Sequence, residues 1–178
     1  HQAVAGNSGS GKTSVVITKL LTAMRSTPPD QLKVVLIDVA NKQDINSIIT
    51  DKTSPHVLLP PIYTKGDAIK YLKKVLLTTQ NRVKQRKKLK LRNIQEVNEH
   101  QIKNKRGPLP IIIVCITEIQ ELLSKKDDDT KEIAALIKDI LTGGRSDGVY
   151  IWMDGQSIYQ SRIPLLGDVL NNLKNRMS

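Results

Sequence analysis

The sequence holds a single cysteine, Cys115, among 178 residues. That excludes an internal disulfide framework and a cysteine-built metal cluster, and it fits a reducing, cytoplasmic setting. Aromatic residues are nearly as scarce: no Phe, one Trp and four Tyr. Successive stacking of single-stranded bases on aromatic faces is therefore not indicated. Long apolar runs are missing too. The longest, Ile111–Ile116, falls far short of the roughly 20 residues a membrane-spanning helix needs. There is no signal peptide and no initiator Met, so the sequence reads as an excised domain.

Acidic residues are the last shortage, 17 against 28 Lys and Arg, for a net charge of +11. The imbalance is local. Residues 1–64 carry +2, residues 107–178 carry −2, and the 42 residues from 65 to 106 carry +11. Seven basic residues lie between Arg82 and Arg92 alone. A concentrated excess of this kind is the footprint of a site for a polyanion, and equally of a solvated helix face. Without aromatics to stack bases, tracking of a duplex backbone fits the first reading better.

Against these absences stands one dense motif. Gly6-Asn7-Ser8-Gly9-Ser10-Gly11-Lys12-Thr13 fits G-x-x-x-x-G-K-[ST] at every fixed position. Ala3-Val4-Ala5 ahead of it reads as the end of a buried strand, and Ser14–Met24 behind it reads as a helix. Strand, glycine-rich turn and helix are the setting the motif requires. The glycines let backbone N–H groups turn inward around phosphate oxygens at a helix N-terminus. Gly6 through Ser14 are therefore the expected nucleotide-binding residues. Lys12 is placed to reach the β- and γ-phosphates, and the Thr13 hydroxyl to ligate Mg²⁺.

The remaining pattern alternates strands and helices. Lys33–Asp38, Ile111–Ile116 and Val149–Met153 read as buried parallel strands. A short helix is expected near Ile45–Ile49, and a short strand around Val57–Leu59 and Ile62–Thr64. Asp67 is expected to cap a long helix whose apolar stripe runs through Ile69, Leu72, Val75, Leu76 and Val83. Its distal part loses that stripe, so residues 82–106 read as a basic helix and loop leaving the body of the domain. A further short helix is expected over Asn93–His100. Asp127-Asp128-Asp129 reads as a helix start rather than a metal site, and Ile133–Leu141 as an amphipathic helix ended by Gly143-Gly144. The whole predicts one α/β domain, a mainly parallel sheet with helices on both faces.

Ligands bind such sheets at the carboxyl ends of the strands. Three strand ends matter: the phosphate loop, Thr117-Glu118, and Asp154-Gly155-Gln156. Glu118 is the candidate to polarise an attacking water. Thr117 stands where such enzymes usually place a metal-holding Asp, and it supplies no negative charge. Gln156 is a candidate γ-phosphate sensor, or an amide satisfying a turn. Arg145 is a candidate finger toward a neighbouring subunit's nucleotide, or a helix-end arginine.

Taken in order along the chain, these segments resemble the motor domain of the FtsK/SpoIIIE family. His1 with Ala5–Thr13 is similar to the family's H-x-x-x-A-G-x-x-G-S-G-K-[ST], and Leu36-Ile37-Asp38 to its L-I-D. Pro55-His56, Arg92-Asn93-Ile94 with Val97-Asn98, Leu109-Pro110 and Gly144–Val149 resemble further family segments. Gln156 falls at the glutamine of the family's A-T-Q. The departures are specific: Val39-Ala40 for P-K, Thr117 for the aspartate, and Asp154-Gly155 ahead of Gln156. Leu173–Met177 resembles only the start of the family's next strand.

The resemblance implies a RecA-like ATPase fold, truncated at both ends, with ATP and Mg²⁺ as cofactors. It also implies translocation of double-stranded DNA by a homo-oligomeric ring, and the basic excess makes Lys84, Arg86, Lys87, Lys88, Lys90 and Arg92 the candidate nucleic-acid contacts. The setting implied is chromosome, plasmid or mobile-element transfer, in the cytoplasm, with a membrane-anchored N-terminal region outside this chain. Two other readings accompany it. One is the ATPase domain of a protein-secretion machine, moving a polypeptide. The other is a nucleotide-binding domain that has lost catalysis, since Thr117 weakens the metal site.

Overall fold

The computed structural model describes residues 1–5, 11–40, 44–125 and 127–155. Gly6–Ser10, Gln156 and Leu173–Met177 lie outside the described residues. Four strands, β1 (Gln2–Ala5), β2 (Leu32–Ile37), β3 (Ile111–Ile116) and β4 (Val149–Gly155), form one sheet. Its order is β1-β4-β3-β2 and every pairing is parallel. Strand β4, the last of the described strands in sequence, thus lies between β1 and β3.

Side-chain alternation on these strands divides the core into two layers. Val34, Leu36, Ile113 and Cys115 face α1 (Lys12–Ser26), where they meet Val16, Leu20 and Met24. Val35, Ile37, Val114, Ile116, Ile151 and Met153 face the opposite way. There they meet α2 (Lys65–Lys88), α4 (Ile119–Leu123) and α5 (Asp128–Gly143). Both faces are covered, as the alternation of elements predicted.

Local chemistry explains where these elements start. Helix α2 is capped by Thr64 rather than Asp67. The Asp67 N–H donates to Thr64 Oγ1 at 3.1 Å, and the Thr64 hydroxyl donates back to Asp67 Oδ2 at 2.8 Å. Asp67 is therefore the third helical residue, bonded to the side chain of the cap, and the cap lies three residues earlier than expected. Asp127 caps α5 through the Thr130 N–H at 2.8 Å, which identifies the acidic triplet as a helix start. A short 3₁₀ turn, Asp44–Ile48, stands where a short helix was expected. The expected strand near residues 57–64 amounts to two isolated bridges, Val34 to Val57 and Ile37 to Ile62.

Helix α3 (Ile94–Lys103) shows what its motif residues do. Asn93 caps it by accepting from the Glu96 N–H at 3.0 Å, while Glu96 accepts from the Arg92 main chain and guanidinium. Asn98 then clamps the chain ahead of β3, exchanging two hydrogen bonds with Leu109. His56 is buried and hydrogen-bonded through Nδ1 to the Leu32 carbonyl at 3.0 Å.

The basic stretch is held on the body further than its composition indicated. Arg82 is buried and donates to the Asp147 carbonyl at 3.0 Å. Arg86 forms a fork with the Asp147 carboxylate, Nε to Oδ1 at 2.8 Å and Nη2 to Oδ2 at 3.1 Å. Asp147 lies in the 3₁₀ turn Arg145–Asp147 that leads into β4. Gly144 and Gly148 bracket that turn. A Cβ on Gly144 would stand 2.5 Å from the Val149 carbonyl oxygen, and Gly148 has a left-handed φ of +73°. Two arginines of the basic block are thus spent on one turn of the sheet's amino edge.

Candidate nucleotide-binding site

Helix α1 opens with Gly11 in the left-handed region at φ 77° and carries no acidic residue in its first turn. The helix dipole adds partial positive charge at that end of α1. Lys12 is only 6% exposed, so its ammonium is held inside the site rather than in solvent.

Opposite Lys12 and Thr13, the carboxyl ends of the strands bring two acids together. The main-chain N–H of Glu118 donates to Asp154 Oδ1 at 2.7 Å. The Thr13 hydroxyl and the Lys12 charge also act on the Asp154 carboxylate, both favouring its ionised form. Glu118 is itself buried and accepts a short hydrogen bond from Gln120 Nε2. Its backbone has φ 49° and ψ 56°, a left-handed conformation that costs a non-glycine residue about 1–3 kcal/mol. Its side chain does not cap the α4 that follows.

Asp154 is completely buried, and burial raises its pKa above the ordinary aspartate value. The hydrogen bonds from Glu118 and Thr13 oppose that rise, the neighbouring Glu118 charge adds to it, and Lys12 lowers it. Asp38, which follows β2, is 1% exposed. Among the described residues neither oxygen of Asp38 has a hydrogen-bond partner, and neither does Oδ2 of Asp154.

The register explains this convergence. Leu36, Cys115 and Trp152 are aligned across β2, β3 and β4 on the α1 face. Two residues further along each strand come Asp38, Thr117 and Asp154, which continue that row past the end of the apolar layer. Thr117 is buried in the middle, with its N–H on the Ile37 carbonyl at 3.0 Å. Its hydroxyl also faces that carbonyl, at 3.5 Å.

Of the expected site residues, Lys12, Thr13, Glu118 and the start of α1 with Gly11 and Ser14 meet at this end of the sheet. Gly6–Ser10 and Gln156 lie outside the described residues, although Gln156 directly follows Gly155 at the end of β4. Arg145 is exposed and sits ahead of β4, at the opposite edge of the sheet. Lys84, Lys87, Lys88, Lys90 and Arg92 are exposed, whereas Arg86 is engaged with Asp147. Asp154 was not singled out as a site residue. The available signal was an ionisable residue at the end of an apolar strand, on the parity that faces the phosphate loop.

Comparison with known proteins gives this geometry its lineage. The FtsK/SpoIIIE family profile matches residues 1–159. The chain belongs to the FtsK/SpoIIIE family. Curated relatives include a DNA translocase FtsK of Helicobacter pylori, 32% identical over 178 residues and all of this chain. Another is a DNA translocase FtsK of Streptococcus pneumoniae, 30% identical over 157 residues and 85% of this chain. In each case the chain spans 20% of the relative's length.

Solved structures agree on the fold of this FtsK/SpoIIIE domain. The pCW3 conjugation coupling protein TcpA, in a monomer form with ATPγS, matches with a TM-score of 0.78 at 21% identity. That match covers 97% of this chain and 46% of TcpA. EssC (ATPases 2 and 3) from Geobacillus thermodenitrificans matches with a TM-score of 0.78 at 20% identity, over 98% of this chain and 30% of EssC. The fold is that of P-loop ATPase domains. No helix among the described residues is long and apolar enough to cross a membrane.

Proposed function

We propose that this domain binds ATP at Gly6–Ser14 and acts as a motor unit that moves double-stranded DNA within a ring of like subunits. The observation that carries the nucleotide reading is the meeting of Lys12, Thr13, Glu118 and Asp154 at one end of the sheet. The DNA reading is supported by a likeness over the whole chain to proteins named DNA translocase. Exposed Lys84, Lys87, Lys88, Lys90 and Arg92 offer phosphate contacts, and Arg86 serves them as scaffold. In a ring, Arg145 would act on a neighbour's nucleotide, since its own chain's site lies at the other end of β4. Gln156, following Gly155, would meet the γ-phosphate. A membrane-anchored region outside this chain would tether the assembly at the cytoplasmic face.

Within the site each group has a defined task. Lys12 neutralises phosphate charge, and the N–H groups at the start of α1 hold the oxygens in place. Glu118 orients and polarises the attacking water, its backbone fixed by the bond to Asp154. The fit for a divalent cation is good. The donor set is all oxygen, Thr13 hydroxyl and Asp154 carboxylate, and Asp154 Oδ2 is buried without a partner among the described residues. When bound, the ion would supply positive charge against the phosphates.

Binding of a mixed-sequence duplex across a salt series, with ATP turnover measured alongside, tests the proposal. Affinity should fall with a log–log slope near −0.9 for each phosphate neutralised, and duplex should stimulate turnover. A chain that binds no duplex at low salt but binds a polypeptide overturns the DNA reading in favour of secretion.

A further inference from the structure

We infer that Asp154, at the end of β4, supplies the carboxylate of the Mg²⁺ site in this chain, in place of the acid missing at Thr117. The inference rests on the nucleotide reading above and deepens it.

In phosphate-loop enzymes the cation is held between the loop's Ser or Thr hydroxyl and a strand-end aspartate. Such a carboxylate must lie beside that hydroxyl and keep an oxygen free for the ion. Thr117 meets neither condition, being uncharged and turned to the Ile37 carbonyl. Asp154 meets both. Its carboxylate lies within the influence of both the Thr13 hydroxyl and the Lys12 charge, and its Oδ2 is fully buried with no partner among the described residues. An unpaired carboxylate oxygen inside a protein is costly unless a cation completes it.

Topology makes the transfer sterically simple. β4 lies between β1 and β3, so its end is one strand closer to the phosphate loop than the end of β3. Moving the acid from β3 to β4 is a shift of about 4.8 Å along one row of side chains. Asp38 lies at the far side of that row, two strand spacings from Asp154 and from the strand beside β1. Among the described residues there is no group of three or more His, Cys, Asp or Glu arranged to hold a metal. Magnesium does not need one, because it commonly takes one or two carboxylates with the rest of its shell from water and phosphate.

The test compares ATPγS binding with and without Mg²⁺, and electron paramagnetic resonance of Mn²⁺ titrated with ATPγS, in three chains. In the natural chain Mg²⁺ should tighten ATPγS at least about tenfold. Asp154→Asn keeps the acceptor for Thr13 and Glu118 but removes the charge, so metal-free binding should persist while the Mg²⁺ gain and the bound Mn²⁺ signal disappear. Adding Thr117→Asp to Asp154→Asn should restore both. Retention of the Mg²⁺ gain in Asp154→Asn overturns the assignment, as does a natural chain whose ATPγS binding ignores Mg²⁺. A chain that binds no ATPγS under any condition overturns the nucleotide reading itself, and the metal assignment with it. One measurement needs no variant. On adding Mg²⁺ to the ATPγS complex, the ¹³Cγ resonance of Asp154 should shift and that of Asp38 should move far less. A stationary Asp154 resonance sinks the proposal.

Discussion

Arg86 and Asp147, 61 residues apart, are joined by two parallel hydrogen bonds of 2.8 and 3.1 Å, and the Asp147 side chain is 1% exposed. The fork ties the distal turn of α2 to the turn that starts β4. Removing one partner of a buried ion pair costs about 3–5 kcal/mol, because the other charge stays buried. Arg86→Ala should fall at the lower end, since its guanidinium keeps some solvent contact. A loss of about 3 kcal/mol corresponds to roughly 6–12 °C in melting temperature. Lys84→Ala, Lys87→Ala and Lys88→Ala should each leave melting within a degree or two and weaken duplex binding. Calorimetry beside a binding titration separates these two classes of basic residue.

Lys12→Ala removes a buried ammonium from the start of α1. Hydrogen bonds to charged groups contribute about 1.5–3 kcal/mol, so ATPγS should bind roughly 10- to 150-fold more weakly. Titration calorimetry gives the affinity directly. The rise in melting temperature with saturating nucleotide should shrink in step.

The raised pKa of Asp154 sets a sign on stability. Its folded form keeps a proton at pH values where the unfolded chain has already ionised. The stabilisation is therefore complete below the ordinary aspartate range and is lost as pH rises toward the folded pKa. Asp154→Asn should abolish this component of the fall. Urea unfolding without nucleotide or Mg²⁺, from pH 3 to 8, should show the natural chain losing ground to the variant as pH rises. Parallel curves would contradict the prediction.

Two glycines should respond oppositely to alanine. Gly148 has φ +73°, and a Cβ there would stand 3.0 Å from Ile94 and 3.1 Å from Ile111. Gly148→Ala should cost more than about 1 kcal/mol, because the backbone conformation and the space are both wrong. Gly66, in the first turn of α2, has no atom within 4 Å of a built Cβ. Gly66→Ala should stabilise by roughly 0.5 kcal/mol through the unfolded chain. Chemical denaturation of both variants checks the pair.

Much of this was legible before any coordinates. The strands β2, β3 and β4 and the helices α1 and α5 announce themselves through apolar period and end signals, and the phosphate loop through its fixed spacing. The fold class and the place of Lys12, Thr13 and Glu118 follow from those. What the sequence concealed was pairing over distance. Nothing local marks Arg82 and Arg86 as partners of Asp147, and composition alone groups them with the exposed basic residues around them. Thr64 was passed over as the cap of α2 because Asp67 is also a good cap residue, and only the reciprocal bond distinguishes them. Asp154 needs the strand order, since β4's place beside β1 cannot be read from its position far along the sequence.

Cys115 lies completely buried beneath this row, and burial, with the charges of Asp154 and Asp38, pushes its thiol up to about 12. It is also the chain's single cysteine. A thiol so placed reacts only when the strand ends part, so its labelling rate is a built-in clock for the opening of the site. ATPγS with Mg²⁺ should slow that clock in proportion to how tightly it closes the end of the sheet. A labelling rate indifferent to nucleotide would mean that the ligand rests on the loop without gathering the strands beneath it.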